Sequence, residues 1–159
     1  MLADVCAYIH NYFLKKENGR VVYYQRTYTI SGGMLSLDFM KEGQRFLLTG
    51  SDLNDGVYTY HTNGIMNDDE NNSAYLQDEV FSGTVCPMAV PKELIDLCTE
   101  IGNWMEKYGE ATNSPFIQET VVGVYNYMKA TKSTENGEGV RDWTDVFASR
   151  LNKWRKVCL

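Results

Sequence analysis

The chain has little of what catalytic sites are built from. Of its 159 residues only two are histidines, His10 and His61, far apart in sequence and without ligand-type neighbours. His10 sits among the aromatics of the N-terminal segment and reads as an ordinary, partly buried histidine, not a metal ligand. No GxSxG, HExxH, Walker A or GxGxxG pattern occurs, and the acidic residues follow no pattern. A nucleophile with its base, or two carboxylates sharing a pocket, therefore cannot be assembled. No catalytic residue, no metal and no cofactor is expected, and the chain reads as a non-enzyme.

Basic charge is also short. A net charge of −6 and a pI near 4.9 disfavour the surfaces that neutralise phosphates, and with them non-specific binding to nucleic acid or anionic membranes. No apolar run approaches the length of a membrane span, and Asp4 and His10 interrupt the first residues, so neither a membrane segment nor a signal peptide is expected. The four cysteines, Cys6, Cys86, Cys98 and Cys158, lack CxxC or metal-type spacing. They read as reduced, mostly buried thiols of an intracellular product.

What is present organises around Pro91–Tyr108. Leu94, Leu97, Cys98, Ile101, Trp104, Met105 and Tyr108 recur at three- and four-residue steps and form one apolar stripe along a helix opened by Pro91 and closed by Gly109. Two other segments carry complementary stripes: Leu2–Phe13, and Trp143–Val157 with Asp142 as its cap. Between them, residues 20–87 switch to strand grammar. Tyr28-Thr29-Ile30 and Leu35, Leu37, Phe39 alternate on either side of Gly32-Gly33. A two-residue primed turn there sets Ile30 opposite Leu35, Tyr28 opposite Leu37 and Arg26 opposite Phe39. Asp52-Leu53-Asn54-Asp55-Gly56 has the look of a calcium loop, but its glycine comes one residue early and Asn63 stands where a bidentate carboxylate is needed. It reads as turn chemistry leading into Val57–Tyr60.

The expected fold is thus α+β: a helical frame of N-terminal, central and C-terminal helices with an inserted small antiparallel β-sheet or partial barrel. One domain covers residues 1–159, with a β-rich insertion at 20–87 and an arm and flexible connector at 116–140. Within the arm, Phe116–Met128 alternates with period two and is apolar on both faces. Such a strand is buried either in its own core or against a neighbouring subunit, and the sequence leaves both open. Its Val122, Val124, Tyr125, Tyr127 and Met128, with Arg150 and Arg155 of the basic C-terminal cluster, are the candidate interface.

Several stretches in order resemble the small head–tail connector proteins, also called adaptor or head-completion proteins, of long-tailed phages and prophages of Gram-positive bacteria. They are Gly43-Gln44-Arg45-Phe46, Gly50-Ser51, Asn54-Asp55-Gly56-Val57-Tyr58, Val90-Pro91 opening a helix with Glu100-Ile101 and Trp104, and Trp143, Phe147, Leu151-Asn152 and Arg155-Lys156. Where the family carries a Ser-Glu-Ser-Phe-Gly-Gly-Tyr-Ser-Tyr-like run, this chain has Glu119-Thr120-Val121-Val122-Gly123-Val124-Tyr125-Asn126-Tyr127. A Glu, a Gly and both Tyr are shared, and the middle is not. The resemblance implies a structural virion protein that forms a ring below the portal protein and extends the DNA channel. Its partners would be copies of itself, the portal and a tail-side connector or tail-completion protein, with DNA only as passing cargo. An aromatic-rich binding module for a glycan or a peptide is the other reading, since eleven tyrosines could line a stacking surface.

Overall fold

The computed structural model describes residues 1–62, 64–67, 76–113, 118–121, 125–128, 131–134, 137–140 and 142–156. In chain order the elements are α1 (Leu2–Tyr8), β1 (Lys16–Glu17), β2 (Arg20–Val21), β3 (Tyr24–Ser31), β4 (Met34–Leu35), β5 (Arg45–Thr49), β6 (Gly56–His61), β7 (Gly64–Asn67) and β8 (Glu79–Pro87). Then come α2 (Lys92–Asn113), β9 (Gln118–Val121), β10 (Tyr125–Met128), β11 (Thr131–Thr134), β12 (Gly137–Val140), α3 (Trp143–Val146), α4 (Ala148–Leu151) and a 3-10 turn at Asn152–Trp154.

The body is an antiparallel sheet in the order β4-β3-β8-β5-β6-β7. Its middle strand, β8, is shared end to end: Glu79–Val85 pair with β3, and Thr84–Pro87 pair with β5. A strand that hands over from one neighbour to the other along its length forces those neighbours to diverge, and the sheet curls. The outermost strands β4 and β7 are brought close to each other, so the curl approaches a half-barrel. At the hand-over the backbones nearly touch. Gly50 has φ +91, and a β-carbon on Gly83 would lie 2.6 Å from the Thr49 carbonyl oxygen. Glycine is what lets the two strands cross there.

Alternation puts Tyr28, Ile30, Leu35, Phe46, Leu48, Tyr58, Tyr60, Phe81 and Val85 on the enclosed face, with Leu37, Met40 and Leu76 filling the space between. The opposite face contributes Leu47, Val57 and Met88 to a second core. That core is completed by Leu2, Val5, Cys6 and Ile9 of the N-terminal segment, by Leu94, Leu97, Cys98 and Ile101 of α2, and by Phe147 and Leu151 near the C-terminus. The three helical segments therefore share one core, but the helical-frame expectation is overturned. The chain is mainly β-sheet with a few short helices and one long one.

The reason is where the helices stop. The N-terminal segment leaves the helix at Ile9, and His10 and Phe13 take positive φ values of 54 and 50. Asn11 holds that bend, its Oδ1 accepting from the Phe13 amide at 3.2 Å and its Nδ2 donating to the Trp154 carbonyl at 3.0 Å. His10 is consequently exposed, not packed among the aromatics. The C-terminal segment, expected as one helix, breaks at Phe147 (φ −99, ψ 2) into two four-residue helices and the 3-10 turn. Asp142 does cap it, in a capping box with Asp145. Such short helices cannot frame a sheet. The sheet, apolar on both faces across β5 and β6, is the scaffold, and the helices cover one face of it.

Two further boundaries move. Gly109 does not end α2, which runs on to Asn113. The period-two stretch expected as one strand is a hairpin, β9 with β10, whose register pairs Val121 with Tyr125 and Gln118 with Met128. The segment expected as a connector contains a second hairpin, β11 with β12. The Gly32-Gly33 turn is as expected, with positive φ at both glycines, 60 and 73, and Ile30 paired with Leu35, but β4 ends at Leu35, so the expected pairs Tyr28–Leu37 and Arg26–Phe39 are not in the ladder.

Candidate interaction surfaces

Of the seven interface candidates, Val122 and Val124 lie outside the described residues. Tyr125, Tyr127 and Met128 follow one another along β10. Neither β9 nor β10 joins the main sheet; each pairs with the other alone, so each presents a second backbone edge without a strand partner among the described residues. Arg150 and Arg155 lie on the C-terminal segment and are engaged at different places. Arg150 Nη1 is 2.6 Å from Glu100 on α2 and its guanidinium lies 5.8 Å from the Phe147 ring, whereas Arg155 lies 4.7 Å over the Tyr8 ring beside α1. Both serve to seat the C-terminal segment on the helical core.

That seat includes a cleft of about 350 Å³ lined by Glu93, Asp96, Leu97, Glu100, Arg150, Lys153 and Trp154. Lys153 Nζ meets Glu93 at 2.7 Å across it. The hydrogen bond from Lys153 lowers the Glu93 carboxyl below its ordinary range, and that from Arg150 does the same for Glu100. The indole Nε1 of Trp154 is buried without a hydrogen-bond partner among the described residues.

A second cleft, of about 320 Å³, opens between Lys15, Val22, Tyr24 and Pro87 on one side and Phe39, Lys41, Glu42, Gly43 and Gln44 on the other. Tyr24 and Phe39 stack at 3.8 Å, and the Arg26 guanidinium, paired with Asp38 at 2.7 Å, lies 4.6 Å from the same Phe39 ring. Glu42 accepts from the Thr62 amide at 2.8 Å and meets His61 Nδ1 at 2.6 Å; these contacts hold its carboxyl below the ordinary range.

The loop between β5 and β6 contains the densest polar network. Ser51 Oγ donates to Glu79 and accepts from the amides of Leu53 and Asn54 at 3.2 and 2.7 Å. Asn54 bridges the gap with both ends of its amide, accepting from the Gln77 amide at 2.7 Å and donating to the Gln77 carbonyl and to Glu79 at 3.1 and 3.0 Å. Tyr58 donates to the Asn54 carbonyl at 2.9 Å. The Ser51 bond, first among several, lowers the Glu79 carboxyl. A serine hydroxyl that already donates to a carboxylate and accepts two amides is a structural link and a poor nucleophile.

Asp78 plays a parallel part for the β3–β4 turn, accepting from the Gly33 amide at 2.9 Å. Sequence reasoning missed both ties. Their signal was Asn54 and Asp78 placed where turns need an acceptor, but the partners lie 23 and 45 residues away.

Cys6, Cys86 and Cys98 are buried and not in disulfides, and burial raises the Cys86 thiol. Among the described residues no group of three or more His, Cys, Asp or Glu side chains is placed to hold a metal ion. No described helix is long and apolar enough to cross a membrane. Comparison with protein-family models, with curated proteins and with solved structures returned no match.

Proposed function

We propose that the chain is a structural, non-enzymatic subunit of a phage or prophage virion, assembled as a ring between the portal and the tail. The observation that carries this reading is the pair of hairpins, β9–β10 and β11–β12, set between α2 and α3 and outside the ladder of the main sheet. A two-stranded hairpin gains little stability in water alone, and strand edges left open are the usual means of joining another chain. The stretches that carry the family resemblance also have defined work in the body. Gly50, Ser51, Asn54 and Tyr58 form the loop network, while Glu100, Trp104, Phe147 and Leu151 join α2 to the C-terminal segment. Its acidic balance suits a channel past which DNA slides without sticking.

The reading requires a portal protein among the neighbouring reading frames, and the test is reconstitution with that protein. Co-sedimentation and rings in negative-stain images are expected; a chain that stays apart from the portal at every ratio, or binds duplex DNA at physiological salt, overturns the reading.

A second reading, a glycan or peptide binder, is favoured by the cleft of Lys15, Tyr24, Lys41 and Gln44, where donors flank an aromatic wall. It requires saturable binding that Tyr24→Ala abolishes without changing the fold.

A further inference from the structure

The cleft beside Tyr24 opens at the end of the curl where β3 begins, β8 ends and β5 begins, since Tyr24 pairs with Val85 and Phe46 with Pro87. Its polar groups are one-sided. The carboxylate that lines it, Glu42, is engaged at both oxygens, Oε1 with His61 Nδ1 at 2.6 Å and Oε2 with the Thr62 amide at 2.8 Å. The Lys41 ammonium has no partner among the described residues. Gln44 gives its Oε1 to the Lys41 amide at 3.2 Å, which fixes its Nε2 as an amino donor, also without a partner among the described residues. Across the cleft Lys15 meets Glu17 at 2.9 Å, and that exposed pair leaves the ammonium further N–H groups to donate. Two ammonium groups and an amide donor therefore face a space whose lining holds no uncommitted carboxylate.

The backbone around the cleft is already committed. The amides of Lys15, Val22, Gly43 and Gln44 donate to the carbonyls of Pro87, Lys15, Tyr60 and Lys41 at 2.8, 2.9, 2.8 and 3.0 Å, and Pro87 has no amide to give. An extended peptide, which docks by adding a strand, finds no open row of amides there. A volume of about 320 Å³ suits a small ligand instead. The wall is the Tyr24 ring, stacked on Phe39 at 3.8 Å, a flat aromatic surface of the kind that takes the C–H face of a sugar. We infer that the cleft binds a sugar acid, its ring against Tyr24 and its carboxylate between the Lys41 ammonium and the Gln44 amino group.

A carboxylate fits these donors better than a phosphate does. No described helix begins at the cleft, and the Arg26 fork lies on the Phe39 ring and is paired with Asp38 at 2.7 Å, so the two usual devices for holding a phosphate are missing. The inference rests on the second reading and narrows its glycan to an acidic one; ring assembly does not enter it.

The full chain is titrated by calorimetry with galacturonate, glucuronate and N-acetylneuraminate, with the methyl ester of each, and with triglutamate as an acidic peptide. At least one acid is expected to saturate while its ester binds about tenfold more weakly, because a hydrogen-bonded charge is lost. Lys41→Met should weaken the acid about tenfold and leave its ester and the thermal midpoint unchanged. Gln44→Glu keeps the oxygen that the Lys41 amide needs and should weaken the acid as much, by setting a second carboxylate against the first. Lys107→Met, on α2, should change nothing. Equal binding of acid and ester overturns the inference and leaves the glycan reading standing, whereas no saturation by any of these sugars up to about 10 mM overturns both. Triglutamate binding tighter than every sugar acid overturns it, as does undiminished binding of the acid to Lys41→Met.

Discussion

Placing a β-carbon on Gly83 tests the hand-over on which the sheet is built. The new atom would sit 2.6 Å from the Thr49 carbonyl oxygen and 2.7 and 2.8 Å from two carbons of the Phe81 ring. The ring can rotate part of the way off its rotamer, at about 0.5–1.5 kcal/mol, although it is buried in the enclosed core. The carbonyl cannot move alone, because Thr49 is in the β5 ladder opposite Thr84. Adding the typical cost of overpacking, about 1–3 kcal/mol, the expected loss for Gly83→Ala is about 3 kcal/mol, out of the 5–15 kcal/mol or so that holds an ordinary domain together.

For a chain of this size the midpoint temperature falls by roughly 6–12 °C. Urea unfolding should be followed both by far-ultraviolet circular dichroism, which reports the sheet, and by tryptophan fluorescence. All three tryptophans pack on the helical core, so coincident transitions show that the two cores unfold together. The midpoint should drop with the slope unchanged. Gly102→Ala is the control: it lies inside α2 with nothing within 4 Å of the added carbon and should gain about 0.5–1 kcal/mol. If Gly83→Ala stays within about 0.5 kcal/mol of wild type, the surface-substitution range, the close crossing does not constrain the sheet.

Asn54→Ala takes its partner from the Gln77 amide and carbonyl and one of two donors from a Glu79 oxygen, and should cost about 2 kcal/mol in denaturant unfolding; a neutral result would mean that the loop is not tied to β8. Leu151→Ala, at a fully buried position, should cost about 2–5 kcal/mol. Lys153→Met should leave the midpoint within scatter, because its pair with Glu93 is exposed; the reverse order would show that ion pairs hold the C-terminal segment. Glu42, Asp78, Glu79, Glu93 and Glu100 all titrate below their ordinary values in the fold. Their contribution is full above the ordinary carboxylate range and is lost as pH falls through the lowered values, so stability should begin to fall below about pH 5. Glu79→Gln should flatten part of that decline, and an unchanged profile would remove Glu79 from the account.

Local grammar carried some of this fold and not the rest. The Gly32-Gly33 turn and the Ile30–Leu35 pair were readable because a primed turn fixes its own register. The Asp142 cap was readable for the same reason: its partner is three residues away. Periodicity also found which residues of α2 and of the terminal segments meet, and Leu2, Ile9, Leu94, Ile101, Phe147 and Leu151 do share a core. What periodicity could not show was where each stripe stays helical. Leu2–Phe13 has helical spacing throughout, yet tertiary bonds from the Asn11 side chain to the Trp154 carbonyl and from the Ala89 amide to the Phe13 carbonyl pull the second half out of the helix. Phe116–Met128 has strand spacing throughout, yet within it Gln118–Val121 pair with Tyr125–Met128, since two short strands that pair with each other leave the same alternating pattern. The clefts and the Ser51–Asn54–Glu79 network join residues more than twenty positions apart, and no local signal marks such a partner.

The arrangement divides the chain into parts that answer to different measurements. The hand-over at Gly83, the tie at Asn54 and the seat of Leu151 are buried and satisfied within one copy, so changing them alters stability and touches association only by unfolding the chain. Lys41 is exposed at the Tyr24 cleft, and changing it loses no buried contact of comparable size. A stability-neutral substitution that abolishes ligand binding therefore separates the cleft from folding, and a body substitution that lowers the midpoint while leaving binding by the folded fraction intact closes the comparison from the other side. The Tyr24 cleft lies beside the main sheet and shares no lining residue with α2 or the C-terminal segment, so loss of binding there and loss of ring assembly are separate results.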